Sequence, residues 1–160
     1  MSLNPAPHYA LGVRRLVTLS LFALLALPAA AADARIIKVL PHHLDQQGRH
    51  ATAPSLFERD AYQARLRAHP EERSAIRFDI QWKAHLKPRT GLALVLESRG
   101  TRGSGPLVLE ANVKPRRWFS SWTSITITRE MLELFGEPAA WRVSLWDGET
   151  FVAEQKSFLW

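Results

Sequence analysis

Ile76, Phe78, Ile80, Trp82 and Ala84 alternate with Arg77, Asp79, Gln81, Lys83 and His85. A period of two places the first set on one side of an extended chain and the second on the other. A helix would scatter both sets around its circumference. This segment therefore commits the chain to a sheet with one apolar face, and such a face needs a second layer to cover it.

The rest of the chain supplies material for that layer. Residues 35–40 (RIIKVL) read as a short strand stopped by Pro41, and residues 41–54, with no apolar period, as a surface loop holding His42, His43, Gly48 and His50. Ser55 is placed to cap a helix running to about Ala68, with Glu58 at the reciprocal capping position and His69-Pro70 closing it. Phe57, Ala61, Ala64 and Leu66 are read as lying roughly on one side of that helix, with Tyr62 at the margin. A helix of about thirteen residues is marginal alone, so this stripe is expected to dock.

Beyond a turn at Pro88 to Gly91, residues 92–97 (LALVLE) form a nearly continuous apolar run suited to a more buried strand. Residues 98–106, with three glycines, form a hairpin loop, and residues 107–113 return as the partner strand. A basic connector, Lys114-Pro115-Arg116-Arg117, leads to a strand over residues 118–128. Thr128 caps a short helix over 129–135, and Gly136 stops it. Trp141, Val143 and Leu145 alternate into a further strand, Asp147-Gly148 turns the chain, and residues 151–160 form the closing strand. A three-residue loop at that turn would set Leu145 beside Phe151 and Val143 beside Ala153. A two-residue loop would pair Val143 with Val152. The expected fold is mainly β: an antiparallel two-sheet sandwich of about seven strands, with one inserted helix (about 55–68) and a short one (about 129–135).

Upstream, Arg14-Arg15 precede an apolar run over residues 16–27, then Pro28, then Ala30-Ala31-Ala32. A basic start, a short apolar middle and a small-residue end predict a secretory signal peptide over residues 1–32, cut after Ala32 or, alternatively, after Ala34. Twelve residues make about 18 Å of helix, short of the roughly 20 residues a bilayer core requires. The expected product is one domain over residues 33–160, exported to the periplasm or beyond, with no stable membrane span after cleavage. The chain has no cysteine, so neither a lipid anchor on cysteine nor a disulfide is available and packing must hold the fold. The leader carries two of the 21 basic residues and none of the 15 acidic ones, leaving 19 minus 15, or +4. That mild excess does not predict nucleic-acid binding.

No motif for catalysis, metal binding or a cofactor emerges. His42, His43 and His50 share a segment with Asp45, but adjacent histidines in extended chain point opposite ways, which works against chelation. The acids Glu58 and Asp60, Glu71 and Glu72, and Glu130 and Glu133 are sequence neighbours, not carboxylates facing one another across a cleft. No nucleophile elbow or Gly-rich phosphate loop appears. The best candidate binding surface combines Arg116, Arg117, Trp118 and Trp122 with Arg99 and Arg102 of the glycine-rich loop, since arginine and exposed tryptophan together grip sugars or acidic polymers. The competing reading sends Trp118 or Phe119 into the core with arginines at its rim. Trp146, offset from Val143 and Leu145, belongs on the opposite, outward face. The terminal Phe158-Leu159-Trp160 is similar to the last strand of an outer-membrane barrel, but too few long strands accompany it.

In layout, residues 35–160 resemble immunoglobulin-like or fibronectin-type-III-like domains of exported bacterial proteins. The helix near 55–68 departs from that pattern, and no cysteine pair brackets a central tryptophan. Residues 55–63, 76–83 and 141–160 look like the shared blocks of a small family of exported bacterial proteins, a resemblance that implies no activity. The expected role is a non-enzymatic binding or structural module of the bacterial cell envelope, its partner an unidentified protein or envelope glycan. The alternative is a carbohydrate-binding accessory domain using exposed Trp and Arg.

Overall fold

The computed structural model describes residues 34–85, 91–102, 105–116 and 119–160. The leader over residues 1–32, the start of the turn at Pro88, and Arg117 and Trp118 of the candidate surface lie outside the described residues. Among the described residues, no helix is long and apolar enough to cross a membrane.

Seven strands form two antiparallel sheets. Strands β1 (Ala34–Asp45), β2 (Arg73–Ala84) and β5 (Ser121–Thr128) make one, in the order β1-β2-β5. Strands β3 (Leu92–Gly100), β4 (Leu107–Val113), β6 (Pro138–Asp147) and β7 (Thr150–Lys156) make the other, in the order β4-β3-β6-β7. Helix α1 (Leu56–Ala68) and a single 3-10 turn (Pro70–Glu72) join β1 to β2, and α2 (Arg129–Phe135) joins β5 to β6.

The alternation in β2 does what its period requires. Ile76, Phe78, Ile80, Trp82 and Ala84 are all buried and meet Leu92, Leu94, Leu96, Val143 and Leu145 of the other sheet. The Trp82 Nε1–H donates to Thr123 Oγ1 at 3.0 Å, so its one polar atom is satisfied inside the core. Phe78 meets Trp141 edge to face at 6.2 Å. Three strands cover four, so both edge strands of the larger sheet are only partly covered: Val152 and Ala153 of β7 stay half-buried, and so does β4. Its inward residues Leu107, Leu109, Ala111 and Val113 stay half-buried, while Leu92, Leu94 and Leu96 opposite them in β3 are sealed.

Three expectations need correction. Pro41 does not end the first strand: β1 continues to Asp45, with Pro41 paired to Phe78 and His43 to Ile76. β1 lies at a sheet edge, where a residue without an amide hydrogen costs no ladder bond. The expected stripe of α1 also fails. Only Leu66 is buried, whereas Phe57 is 81% exposed and Ala61 and Ala64 are exposed too. At 3.6 residues per turn, Leu66 lies half a turn away from Phe57, so the four never shared a side. The inward side is Tyr62, Gln63 and Leu66. Tyr62 donates to Asp45 Oδ2 at 2.7 Å, and Gln63 bonds the backbones of His43 and His50. Last, neither expected register holds across the final turn. Gly148, at φ 57°, allows a two-residue loop with Asp147 opposite Thr150 and Trp146 opposite Phe151. A slip then puts Leu145 opposite Ala153 and Val143 opposite Gln155. The ladder ends at Lys156, so residues 157–160 are not strand.

The sealed end of the sandwich depends on a close approach. A Cβ at Gly100 would collide with the Phe135 carbonyl and ring, so glycine lets α2 sit directly on β3.

Candidate functional site

Pairing in the four-stranded sheet sets its outer face. Glu97 lies between Val108 and Arg142, Val95 between Glu110 and Ser144, and Ala93 between Asn112 and Trp146. These residues are the complement of the buried Leu94, Leu96, Val143 and Leu145. All of them but Asn112 line a groove of about 340 Å³. One end is apolar: Trp146 meets Phe151 edge to face at 5.6 Å, beside Ala93. The Trp146 Nε1–H donates to Ser144 Oγ at 2.8 Å, which fixes the ring.

The other end is charged. Arg142 donates to Glu97 Oε2 from Nε at 2.7 Å and from Nη2 at 2.6 Å. The guanidinium carbons of Arg142 and Arg99 lie 5.0 and 4.3 Å from the centre of the Trp160 ring. The tail reaches that place because Ser157 accepts from the Trp141 amide through Oγ and donates its own amide to the Trp141 carbonyl. The face thus offers an aromatic platform, a buried hydroxyl and an oriented arginine–carboxylate pair.

The seven residues picked from sequence do not form one surface. Trp146 and Arg99 belong to this face. Trp122, exposed, and Arg116 border a separate recess of about 530 Å³ with Lys114 and Asn112. Arg102 lies in a third place, donating to the Glu133 carbonyl at 3.2 Å beside Arg73, Arg129 and Glu137. Arg117 and Trp118 are outside the described residues. Phe119 is exposed, so it is not the aromatic that enters the core. Sequence reasoning missed Glu97, Arg142, Ser144, Phe151 and Trp160. The wet positions of an alternating strand were signal enough for the first three, given the register.

Two polar clusters are structural in character. Asp45 is buried and accepts from the amides of Gln47 and Arg49, from Arg49 Nε and from Tyr62. Those hydrogen bonds outweigh burial and hold its pKa down to about 2. They close the turn after β1. Arg73, 4% exposed, makes a two-pronged ion pair with Glu137 at 2.8 and 2.9 Å, and its Nη1 lies 3.1 Å from His43 Nδ1. The Arg129 Nη2 donates to the carbonyls of Glu71 and Arg73. Burial, then the Arg73 charge, pushes His43 down to about 4. His43 is therefore neutral at ordinary pH, with Nδ1 accepting.

That shift sets a pH dependence. Between its ordinary value near 6.5 and about 4, the unfolded chain binds a proton on His43 that the folded chain refuses. Stability therefore falls as pH drops through that window. The Asp45 contribution has the same sign in a lower window: it is intact above about 4 and is lost as pH falls toward 2. His43→Gln is expected to flatten the decline between pH 6.5 and 4 in thermal melts while leaving the loss below pH 4. An unchanged slope in the upper window would contradict this.

His42 and His43 do point opposite ways. The His42 Nε2 lies 3.7 Å from Asp79 on the outer face of the three-stranded sheet, and its ring lies 4.9 Å from that of His50. Arg77 reaches both His50 and Asp79, at 3.3 and 2.9 Å, and so supplies the positive charge there itself. Ser124 donates to Asp79 at 2.6 Å, so the hydroxyl is aimed at an acid and not at an imidazole base. His69, Glu71 and Glu72 converge on the surface, but His69 pairs with Glu71 and Arg65 with Glu72. Comparison with known proteins finds no matching family model, no matching curated protein and no matching solved structure.

Proposed function

We propose that this chain is an exported, non-enzymatic binding module of the bacterial cell envelope, built on an immunoglobulin-like sandwich. The strand order supports the fold reading. Lettered A to G along the chain, the sheets are A-B-E and D-C-F-G, the immunoglobulin constant arrangement with its fourth strand moved to the other sheet. The leader supports export. The observation that carries the binding role is the groove over Trp146, where an aromatic platform, Ser144 and the Arg142–Glu97 pair share one outer sheet face. Such a face, apolar in part with a few fixed polar groups, is what a binding surface requires.

A second reading, an envelope glycan as the ligand, is favoured by that same mixture. Sugar rings stack on aromatic faces, and their hydroxyls need both donors and acceptors. The test is a titration of intrinsic tryptophan fluorescence with peptidoglycan fragments, run beside capture of protein partners from an envelope extract. A ligand at this face is expected to shift the emission, and Trp146→Ala to weaken binding roughly tenfold or more with the fold intact by circular dichroism. Binding unaltered by Trp146→Ala, or neither glycan nor protein bound, would overturn the proposal.

A further inference from the structure

The sandwich has four outer strands, and three of them carry features that discourage pairing with another chain. β1 contains Pro41 and Lys38 and slips register between Ile36 and Lys38. β4 follows Pro106 and carries Glu110. β7 carries Glu154 and Lys156 and slips against β6. β5 differs. Its eight residues, SWTSITIT, include no charge, proline or glycine, and all eight pair in unbroken register with β2. No strand among the described residues pairs with its other edge.

We propose that β5 is the interface of a symmetric dimer, in which two copies pair antiparallel through this edge to make a continuous six-stranded sheet. The strand is suited to meeting itself. With Ser124 opposite its twin, Trp122 lies across from Thr126, and Thr123 across from Ile125, each pair on one face of the joined sheet. The exposed indole of Trp122 gains a neighbour, and no like charges meet at the seam. The flanks complement one another as well. Lys114 and Arg116 precede β5, and Glu130 and Glu133 follow it in α2, whose one base, Arg129, is turned to the carbonyls of Glu71 and Arg73. Antiparallel pairing sets the start of each strand beside the end of its twin, so the basic segment of one copy meets the acidic helix of the other. A two-fold axis makes that contact twice. The interface lies on a different sheet from the groove over Trp146, so the dimer stands or falls apart from the proposed function.

Sedimentation of the purified protein across a roughly hundredfold concentration range tests the idea. A monomer–dimer equilibrium is expected, weakened by added salt. Because the chain has no native cysteine, single replacements report the seam directly. Opposed residues in an antiparallel pair are about 4.5–5.5 Å apart at Cα, within reach of a disulfide. Ser124→Cys is expected to form a covalent dimer under mild oxidation, and Glu110→Cys on β4 and Glu154→Cys on β7 are not. Thr126→Lys sets a charge at the seam and is expected to raise the dimer dissociation constant about tenfold or more. A monomer at every concentration overturns the proposal. So does a folded Thr126→Lys variant that dimerises like the parent, or cross-linking equally efficient from β4 or β7. If Thr126→Lys fails to fold, the cysteine comparison decides.

Discussion

Trp82→Ala is expected to cost about 3–5 kcal/mol of folding stability. The side chain is 1% exposed on the apolar face of β2, packed among the buried residues of both layers. Alanine removes that apolar surface and leaves a cavity that rigid strands on either side cannot collapse to fill. The loss of the hydrogen bond to Thr123 Oγ1 adds a smaller amount, because that hydroxyl lies partly open to water. The measurement is urea unfolding, with an unchanged denaturant slope showing that the folded and unfolded states are otherwise the same. The melting temperature should fall by roughly 10–20 °C. Phe78→Ala should behave alike, since Phe78 is equally buried against Trp141. A loss of under about 1 kcal/mol in both would mean that the inward face of β2 is misassigned.

Glu137→Ala is expected to destabilise by about 2–4 kcal/mol, and by more than Arg73→Met. The two residues form one ion pair, but their surroundings differ. The Arg73 side chain is 4% exposed and the Glu137 side chain 48%. Removing the carboxylate strands a buried guanidinium whose remaining contact is a neutral His43 nitrogen, and whose Nε already has no partner among the described residues. Removing the guanidinium leaves a carboxylate that water can solvate, and Met refills part of the space. The backbone of Glu137 stays anchored to Thr101 in either variant, so the comparison isolates the charge. Equal losses, or the reverse order, would show that the pair is solvated and adds little.

Periodicity and capping chemistry were legible in the sequence, and three-dimensional adjacency was not. The alternation over residues 76–84 fixed the inward face of β2 because one strand in contact with a core leaves no freedom in side-chain direction. Thr128 and Gly136 bounded α2 because the orphan amides and carbonyls of a helix end need those residue types. Pro41 misled, since its meaning depends on whether a strand is at an edge, and that is a property of the whole sheet. The α1 stripe failed on angle alone: residues 57 and 66 are nine apart, which reverses the direction of the side chain. Trp146 faces outward as its offset from Val143 and Leu145 implies, but Glu97 reaches that face only through the pairing of β3 with β6, 45 residues from its partner Arg142. Arg73 and Glu137 are 64 apart, and nothing local in either marks the other. The contact of Trp160 with Arg99 and Arg142 required the chain to leave the ladder at Lys156, where the apolar tail favoured continued strand.

The mismatch of three strands over four has an effect on how the molecule fluctuates. The less firmly held edge can be shed first: β7 also packs against β1, whereas β4 can detach from β3 while the remaining six strands keep their mutual contacts. Leu107, Leu109, Ala111 and Val113 already forgo part of their shelter in the intact fold, so the added cost of release is small there. Partial opening is thereby steered to one flank, away from the tryptophan-centred interior that secures the rest.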